Sequence, residues 1–306
     1  MKSKWLIGFC AIFFIVLVGV YYLLDPEHNE LNESEREKLG GTYIKLSQGV
    51  THYKLTGPTG GKVVILVHGG TVPLWTWDNQ IKFLNDAGFR TLSYDQFGRG
   101  YSDRPAVIYD QELYTRQLLE LVDKLKITQK FDLIGYSLGG GIAVNFTAQY
   151  PDKVQKLVII SPLVNNFKVP TIFQIPVIGE FAARIIGIKT IVDRSSGLFE
   201  GNPKSETYSK LFAEQTTYKG FQRSLLSMLR NNAIGDYTND YQLLGKQKRE
   251  ILLIWGRNDT EITKDMIKDI RSFLPRLKFK PVENAGHGIV FQKTEIINKL
   301  IIDFLK

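Results

Sequence analysis

The chain has 306 residues, 43% hydrophobic and 23% charged, with a formal net charge of +8. That composition belongs to a folded globular protein and excludes disordered, collagen-like and coiled-coil chains. The 39 Lys and Arg residues are scattered, with no basic run interleaved with aromatics, so nucleic acid is not an expected partner and the charge reads as solubilising. A lone cysteine, Cys10, excludes an intramolecular disulfide framework and a Cys-ligated metal site.

Residues 5–24, WLIGFCAIFFIVLVGVYYLL, carry no charge, and about 20 apolar residues suffice to cross a bilayer as a helix. This predicts an N-terminal membrane anchor, with Trp5, Tyr21 and Tyr22 at the interfaces. Lys2 and Lys4 precede the run, and Asp25, Glu27 and Glu30 follow it. The positive-inside rule then predicts a single-pass signal-anchor with a cytoplasmic N-terminus and the remaining chain on the outer face. A cleaved signal would be shorter and end in a small-x-small site, which VYYLLDP lacks. Phe9 before Cys10 argues against lipidation, leaving Cys10 as filler in an apolar helix. Residues 25–40 turn polar and acidic and read as a linker.

Beyond the linker, strand-type and helix-type segments alternate, the pattern of an α/β layered fold. GTYIKLS and THYKLTG alternate polar and apolar residues, as an exposed antiparallel hairpin does. KVVILVHG, RTLSYDQ, FDLIGYS, KLVIIS and ILLIWGRND are continuous apolar runs, suited to a parallel sheet covered on both faces, and FKPVEN closes the series. Helical periodicity falls at residues 77–87, 111–125, 138–149, 264–273 and 296–305. Residues 163–249 form an apolar-rich interval far longer than the ~2–6 residues of an ordinary βα loop, and predict an inserted helical cap. Residues 41–162 and 250–306 then make the core. The phosphate-loop lookalike GPTGGKV lacks the following Ser/Thr and precedes a strand, so it is a turn.

The dipeptide-plus-serine GYS occurs twice. At Ser137, in FDLIGYSLGGG, a buried strand precedes and a helical pattern follows, which is the strand-to-helix turn of a nucleophile elbow. Side chains at Gly135 and Gly139 would collide across that turn. Ser102, in DQFGRGYSDRP, lies in a Gly- and Pro-punctuated loop and reads as structural. A serine nucleophile needs a base, and the base needs an acid to hold its tautomer. Of the four histidines, His28 is in the linker, His52 in the hairpin, and His68 shapes the turn at VHGG. His287, in the glycine-flanked ENAGHG loop, remains. Asp259 closes ILLIWGRND and lies between serine and histidine in chain order, although it also suits the start of a helix. An oxyanion needs preset N–H donors, which are expected from Leu138 and from Gly70, with Thr71 the alternative to Gly70.

LVHGG, DQFGRGYSDRP, GYSLGGG, WGRND and AGHG, in this order, make residues 41–306 resemble the α/β-hydrolase superfamily, most of all its capped serine esterases and lipases of the monoacylglycerol-lipase type. The resemblance implies the α/β-hydrolase fold, a largely parallel sheet with helices on both faces, and matches the roles derived for Ser137, Asp259, His287, Leu138 and Gly70. It further implies that Asp95, Gly98 and Gly100 shape the loop near the oxyanion hole. Serine at the elbow argues against the branches with an aspartate nucleophile. C–C bond hydrolases, perhydrolases and iminopeptidases use the same triad, and a sensor on an idle scaffold is the rival from another class.

No cofactor or metal is expected. The Ile-, Val- and Phe-rich first half of the cap, FKVPTIFQIPVIGEFAARIIGIKTIV, with Trp75, Trp77, Thr71 and Tyr136 as further substrate contacts, favours an ester or lipid substrate with an apolar acyl chain. The sequon NDT at residues 258–260 overlaps Asp259, where a glycan would obstruct the site, and so points to a bacterial exterior rather than a secretory lumen.

Overall fold

Eight strands form one sheet in a computed structural model that describes residues 2–165 and 168–306, excepting the side chains of residues 2–4, 6, 10, 11, 13, 14 and 17. Cys10, Lys2, Lys4 and Phe167, to which expectations were attached, thus have side chains outside the described residues. The strands are β1 (Thr42–Lys45), β2 (Val50–Thr56), β3 (Val63–Val67), β4 (Arg90–Tyr94), β5 (Phe131–Tyr136), β6 (Val154–Ile160), β7 (Ile251–Gly256) and β8 (Lys278–Val282). Their order is β1-β2-β4-β3-β5-β6-β7-β8. β1 and β2 pair antiparallel, as does β2 with β4, and every later pairing is parallel.

Side chains alternate across the sheet with the two-residue period of a strand. Ile65, Val67, Leu133, Leu157, Ile159 and Leu253 join one buried cluster, whereas Val64, Leu66, Ile134, Val158, Ile160 and Ile254 join the other. Both faces are therefore dry, which is why these strands read as unbroken apolar runs.

The helices are α1 (Lys2–Leu23), α2 (Glu33–Leu39), α3 (Asp78–Asp86), α4 (Gln111–Lys124), α5 (Leu138–Gln149), α6 (Thr171–Gln174), α7 (Ile178–Ala182), α8 (Ile188–Leu198), α9 (Ser205–Gln215), α10 (Phe221–Arg230), α11 (Thr238–Gly245), α12 (Lys264–Phe273), α13 (Ile289–Gln292) and α14 (Thr294–Leu305). α4, α5 and α12 add Leu118, Ile142 and Ile270 to one cluster, and α3 and α14 add Leu84 and Ile301 to the other. Helices α6 to α10 lie between β6 and β7, over the end of the sheet that carries residues 136 and 137. α11 instead packs on α5: Asn145 Nδ2 donates to Asp240 at 3.0 Å, and the Tyr241 hydroxyl donates to the Leu163 carbonyl at 3.0 Å.

Among the described residues no helix is long and apolar enough to cross a membrane. That finding overturns the expected anchor at residues 5–24, and with it the single-pass topology and outer-face placement built on it. The end of α1 has a different neighbour from the one expected. Tyr21, assigned to a lipid interface, lies 4.7 Å from the Phe181 ring and 3.8 Å beneath the Arg184 guanidinium. Arg184 also donates to the Tyr21 carbonyl and pairs with Asp25, each at 3.0 Å, so this turn docks on the cap.

Residues 25–40 likewise lie along the body of the protein. The Glu27 carboxylate accepts the N–H groups of Gly220 and Gln222 at the start of α10. Asn29 exchanges backbone bonds with Thr217 and Lys219, and Arg36 pairs with Asp103 on the core. The polar composition that suggests a loose linker supplies the donors and acceptors for a strap between cap and core.

Candidate active site

The site begins at the end of β5. Ser137 has φ 55° and ψ −122°, a conformation that an L-residue keeps only when its surroundings enforce it. They do so here through backbone bonds: the Ser137 N–H donates to Ile160 O at 3.0 Å, and its carbonyl accepts from Gly140 at 2.9 Å and Leu163 at 3.0 Å. Strand and helix approach too closely for side chains, since a Cβ on Gly135 would stand 2.2 Å from the Gly139 carbonyl oxygen. One on Gly139 would stand 2.3 Å from the carbonyls of Val67 and His68. Gly135→Ala is therefore expected to lose about 3 kcal/mol or more of stability in urea unfolding, because backbone atoms cannot yield as a side-chain tip can. Gly60→Ala, with nothing within 4 Å of its added Cβ, is the control and should hold its midpoint.

His287 bridges Ser137 and Asp259. Its Nε2 stands 3.0 Å from Ser137 Oγ and its Nδ1 2.9 Å from Asp259 Oδ2. Asp259 uses its two oxygens differently: Oδ1 accepts the N–H groups of Glu261 and Ile262, each at 2.9 Å, which leaves Oδ2 for the imidazole. The cap of α12 is Thr263, so the helix-start role considered for Asp259 falls to another residue. Burial alone would push the Asp259 pKa up, but its bond to and charge interaction with His287, and the Ile262 N–H, bring it below the usual carboxylate value. For His287, burial lowers the pKa, while the Asp259 bond and the charges of Glu261 and Asp259 outweigh it and leave the imidazole a stronger base than usual. Tyr136 holds the histidine loop, its hydroxyl donating to the His287 carbonyl at 2.7 Å.

The loop after β3 is pinned by its carbonyls. His68 Nδ1 donates to Gly69 O at 2.7 Å, Arg99 Nε to Gly70 O at 2.6 Å, and Gln215 Nε2 to Thr71 O at 2.8 Å. In a trans peptide the N–H points opposite the preceding carbonyl, so anchoring Gly69 O and Gly70 O orients the amides of Gly70 and Thr71. Neither amide, nor that of Leu138, has an acceptor among the described residues. His68 is neutral and structural: it accepts the Gln96 N–H at Nε2, and burial drops its pKa to about 4. Asp95 supports the same loop by accepting the Leu74 N–H at 2.8 Å.

Ser102 is fully buried. Its hydroxyl donates to Asp95 O at 2.6 Å and accepts the His52 N–H at 2.9 Å. Serine, histidine and aspartate thus meet a second time, since His52 Nδ1 lies 2.7 Å from Asp95 Oδ2. The link between His52 and this serine runs through the backbone N–H of His52, so the cluster is a brace.

A cavity of about 190 Å³ opens above Ser137 and His287. Gly70, Thr71, Tyr136 and Leu138 line it, whereas Trp75 and Trp77 do not. The short helical turn Leu74–Trp77 carries both indoles away: Trp77 is fully buried, and Trp75 stacks on Tyr208 at 5.0 Å. The cap contributes differently from expectation as well. Among the described residues of its Ile- and Val-rich first half only Ile191 reaches the cavity, while Leu225, Met228 and Leu229 come from α10. The amphipathic FQRSLLSMLR run was the available signal for α10.

Two charged residues that sequence reasoning missed also line the cavity: Arg194 on α8 and Glu261 beside Asp259, 2.8 Å apart. Glu261 Oε2 lies 3.6 Å from His287 Nε2. No local pattern signals this pair, because its members are distant in sequence.

A family profile described as the alpha/beta hydrolase fold matches residues 62–184. Over that span the chain is similar to the α/β-hydrolase superfamily. The chain is 28% identical to the AB hydrolase superfamily protein YfhM of Bacillus subtilis over 283 residues, covering 85% of this chain and 96% of the relative. It is 26% identical to a non-heme chloroperoxidase of Streptomyces lividans, covering 83% and 95%. A thermophilic esterase from Thermogutta terrifontis has the same fold, with a TM-score of 0.73 at 22% identity, covering 87% of this chain and 98% of that one.

Proposed function

We propose that the protein is a serine hydrolase of carboxylic esters with an apolar acyl chain, monoacylglycerol-like esters among them, acting through an acyl-enzyme on Ser137. The observation that carries this reading is the His287 ring, hydrogen-bonded to Ser137 on one side and Asp259 on the other, at the floor of an apolar cavity. In the resting enzyme the Ser137 hydroxyl donates to Nε2. As Oγ attacks the ester carbonyl, its proton passes to Nε2, and the imidazolium is held by Asp259. The amides of Leu138 and Gly70, with Thr71 as the alternative to Gly70, receive the negative oxygen. Collapse returns the proton from Nε2 to the departing alcohol, and water repeats the sequence to release the acid. The esterase among the structural relatives agrees with this chemistry, and the aliphatic residues of α8 and α10 favour an alkyl chain over a polar acyl group.

A series of p-nitrophenyl esters and monoacylglycerols tests the reading, with medium-chain acyl groups expected to be cleaved fastest. Absence of hydrolysis across the whole series would overturn it. Leu229→Trp places an indole against the cavity wall and is expected to lower kcat/KM for octanoate at least about tenfold while sparing acetate, because each lost methylene contact weakens transition-state binding by ~1 kcal/mol. An equal loss on both esters would show that the alkyl chain lies elsewhere.

A further inference from the structure

Among the described residues two side-chain oxygens lie near Nε2 of His287. One is Ser137 Oγ at 3.0 Å, and the other is Glu261 Oε2 at 3.6 Å. A carboxylate at that distance strengthens the base by attracting the imidazolium, but a shorter approach would make it the preferred acceptor of the Nε2 proton and draw the ring from serine. What holds Glu261 back is its other oxygen, Oε1, which is ion-paired with Arg194 Nη2 at 2.8 Å. Arg194 belongs to α8 in the cap, whereas Glu261 and His287 belong to core loops.

We propose that Arg194 and Glu261 are positioning residues forming a charge pair between cap and core that sets the proton affinity of His287, so that the seating of the cap tunes the catalytic base. The inference rests on the reading of His287 as base only for its catalytic consequence. The pair's effect on the ring is independent of it.

The groups facing His287 are few. Asp259 and Glu261 come from the loop after β7, Arg194 from α8, Ser137 from the elbow, and Tyr136 from β5, with its ring 5.3 Å away. Asp259 is already bound through both oxygens. Glu261 and Arg194 are the adjustable members, since Arg194 is 58% exposed and its partner is 23% exposed. Their signs oppose. The Glu261 charge favours the imidazolium, and the Arg194 charge disfavours it both directly and by neutralising Glu261.

The test is a titration of the His287 ring by NMR in full-length Ser137→Ala, which needs no turnover, alongside pH–rate profiles in the enzyme with Ser137 intact. Glu261→Gln is expected to lower the His287 midpoint and move the acid limb of kcat/KM to lower pH, retaining at least about threefold more of its pH 8 activity at pH 5.5. Arg194→Met should raise both, Arg194→Lys should restore them, and the double variant should lie only slightly above Glu261→Gln, because the direct repulsion from Arg194 is then all that its removal relieves. An unmoved midpoint in Arg194→Met, or an equal shift with and without Glu261, would overturn the inference. Should the midpoints shift as stated while no ester is hydrolysed, the charge pair stands and the esterase reading falls. Should esters be hydrolysed while the midpoints stay fixed, the reverse holds.

Discussion

Ser137→Ala is expected to lower kcat for ester hydrolysis by about 10⁵- to 10⁶-fold, with KM little changed and the thermal midpoint held or raised. The hydroxyl is the atom that forms the covalent bond, and no other group replaces it. Ser102, the other GYS serine, is fully buried with its hydroxyl committed to Asp95 O and the His52 N–H. The residual rate would come from the oxyanion donors and from binding, which the substitution leaves in place. Removing a hydroxyl from a residue held at φ 55° does not relieve the backbone, so the fold should persist. A fluorophosphonate probe provides the check: mass should be added to wild type at Ser137 and be absent from the variant. A wild-type serine that fails to label would favour a binding protein on a hydrolase scaffold.

Asp259→Asn is the second large effect, about 10⁴-fold in kcat. The two backbone N–H groups of Glu261 and Ile262 require an acceptor at Oδ1, so the new amide must place its oxygen there and its NH₂ toward His287. That NH₂ donates to Nδ1, which puts the imidazole proton on Nε2, where the serine proton has to arrive. The defect is therefore one of tautomer, with the shape of the site unchanged. Melting should shift little, and labelling of Ser137 should slow in parallel with kcat. A variant that keeps more than a tenth of the wild-type rate would remove Asp259 from the mechanism.

Much of this site was legible because its parts are local. Ser137 sits between a buried strand and a glycine-opened helix, and Asp259 ends another strand. Strand ends on a parallel sheet converge at one edge, so a serine, an aspartate and a loop histidine at three such ends have short distances to cross. The core strands were legible because dry faces on both sides demand continuous apolar residues, and α12 carried its helical period over its full length, whereas α5 is buried on nearly every side and was legible from its glycine-opened start after a strand. Composition misled where it is silent about neighbours. The apolar run at residues 5–24 carries no mark of Phe181 or Arg184, against which its last turn docks. Trp75 and Trp77 follow the oxyanion loop in sequence, yet one tight turn sends both away from the cavity.

By itself the sequence determined the parallel sheet, the strand-to-helix turn at Ser137, and the strand-end and loop positions of Asp259 and His287, since each depends on residue types within a few positions of one another. Only the tertiary structure decided which half of the cap lines the cavity, that residues 25–40 strap cap to core, and that Arg194 meets Glu261 beside the histidine. Those contacts join segments far apart in the chain. Local periodicity shows that a helix has a face to bury, while the choice of partner follows from how all the faces pack together.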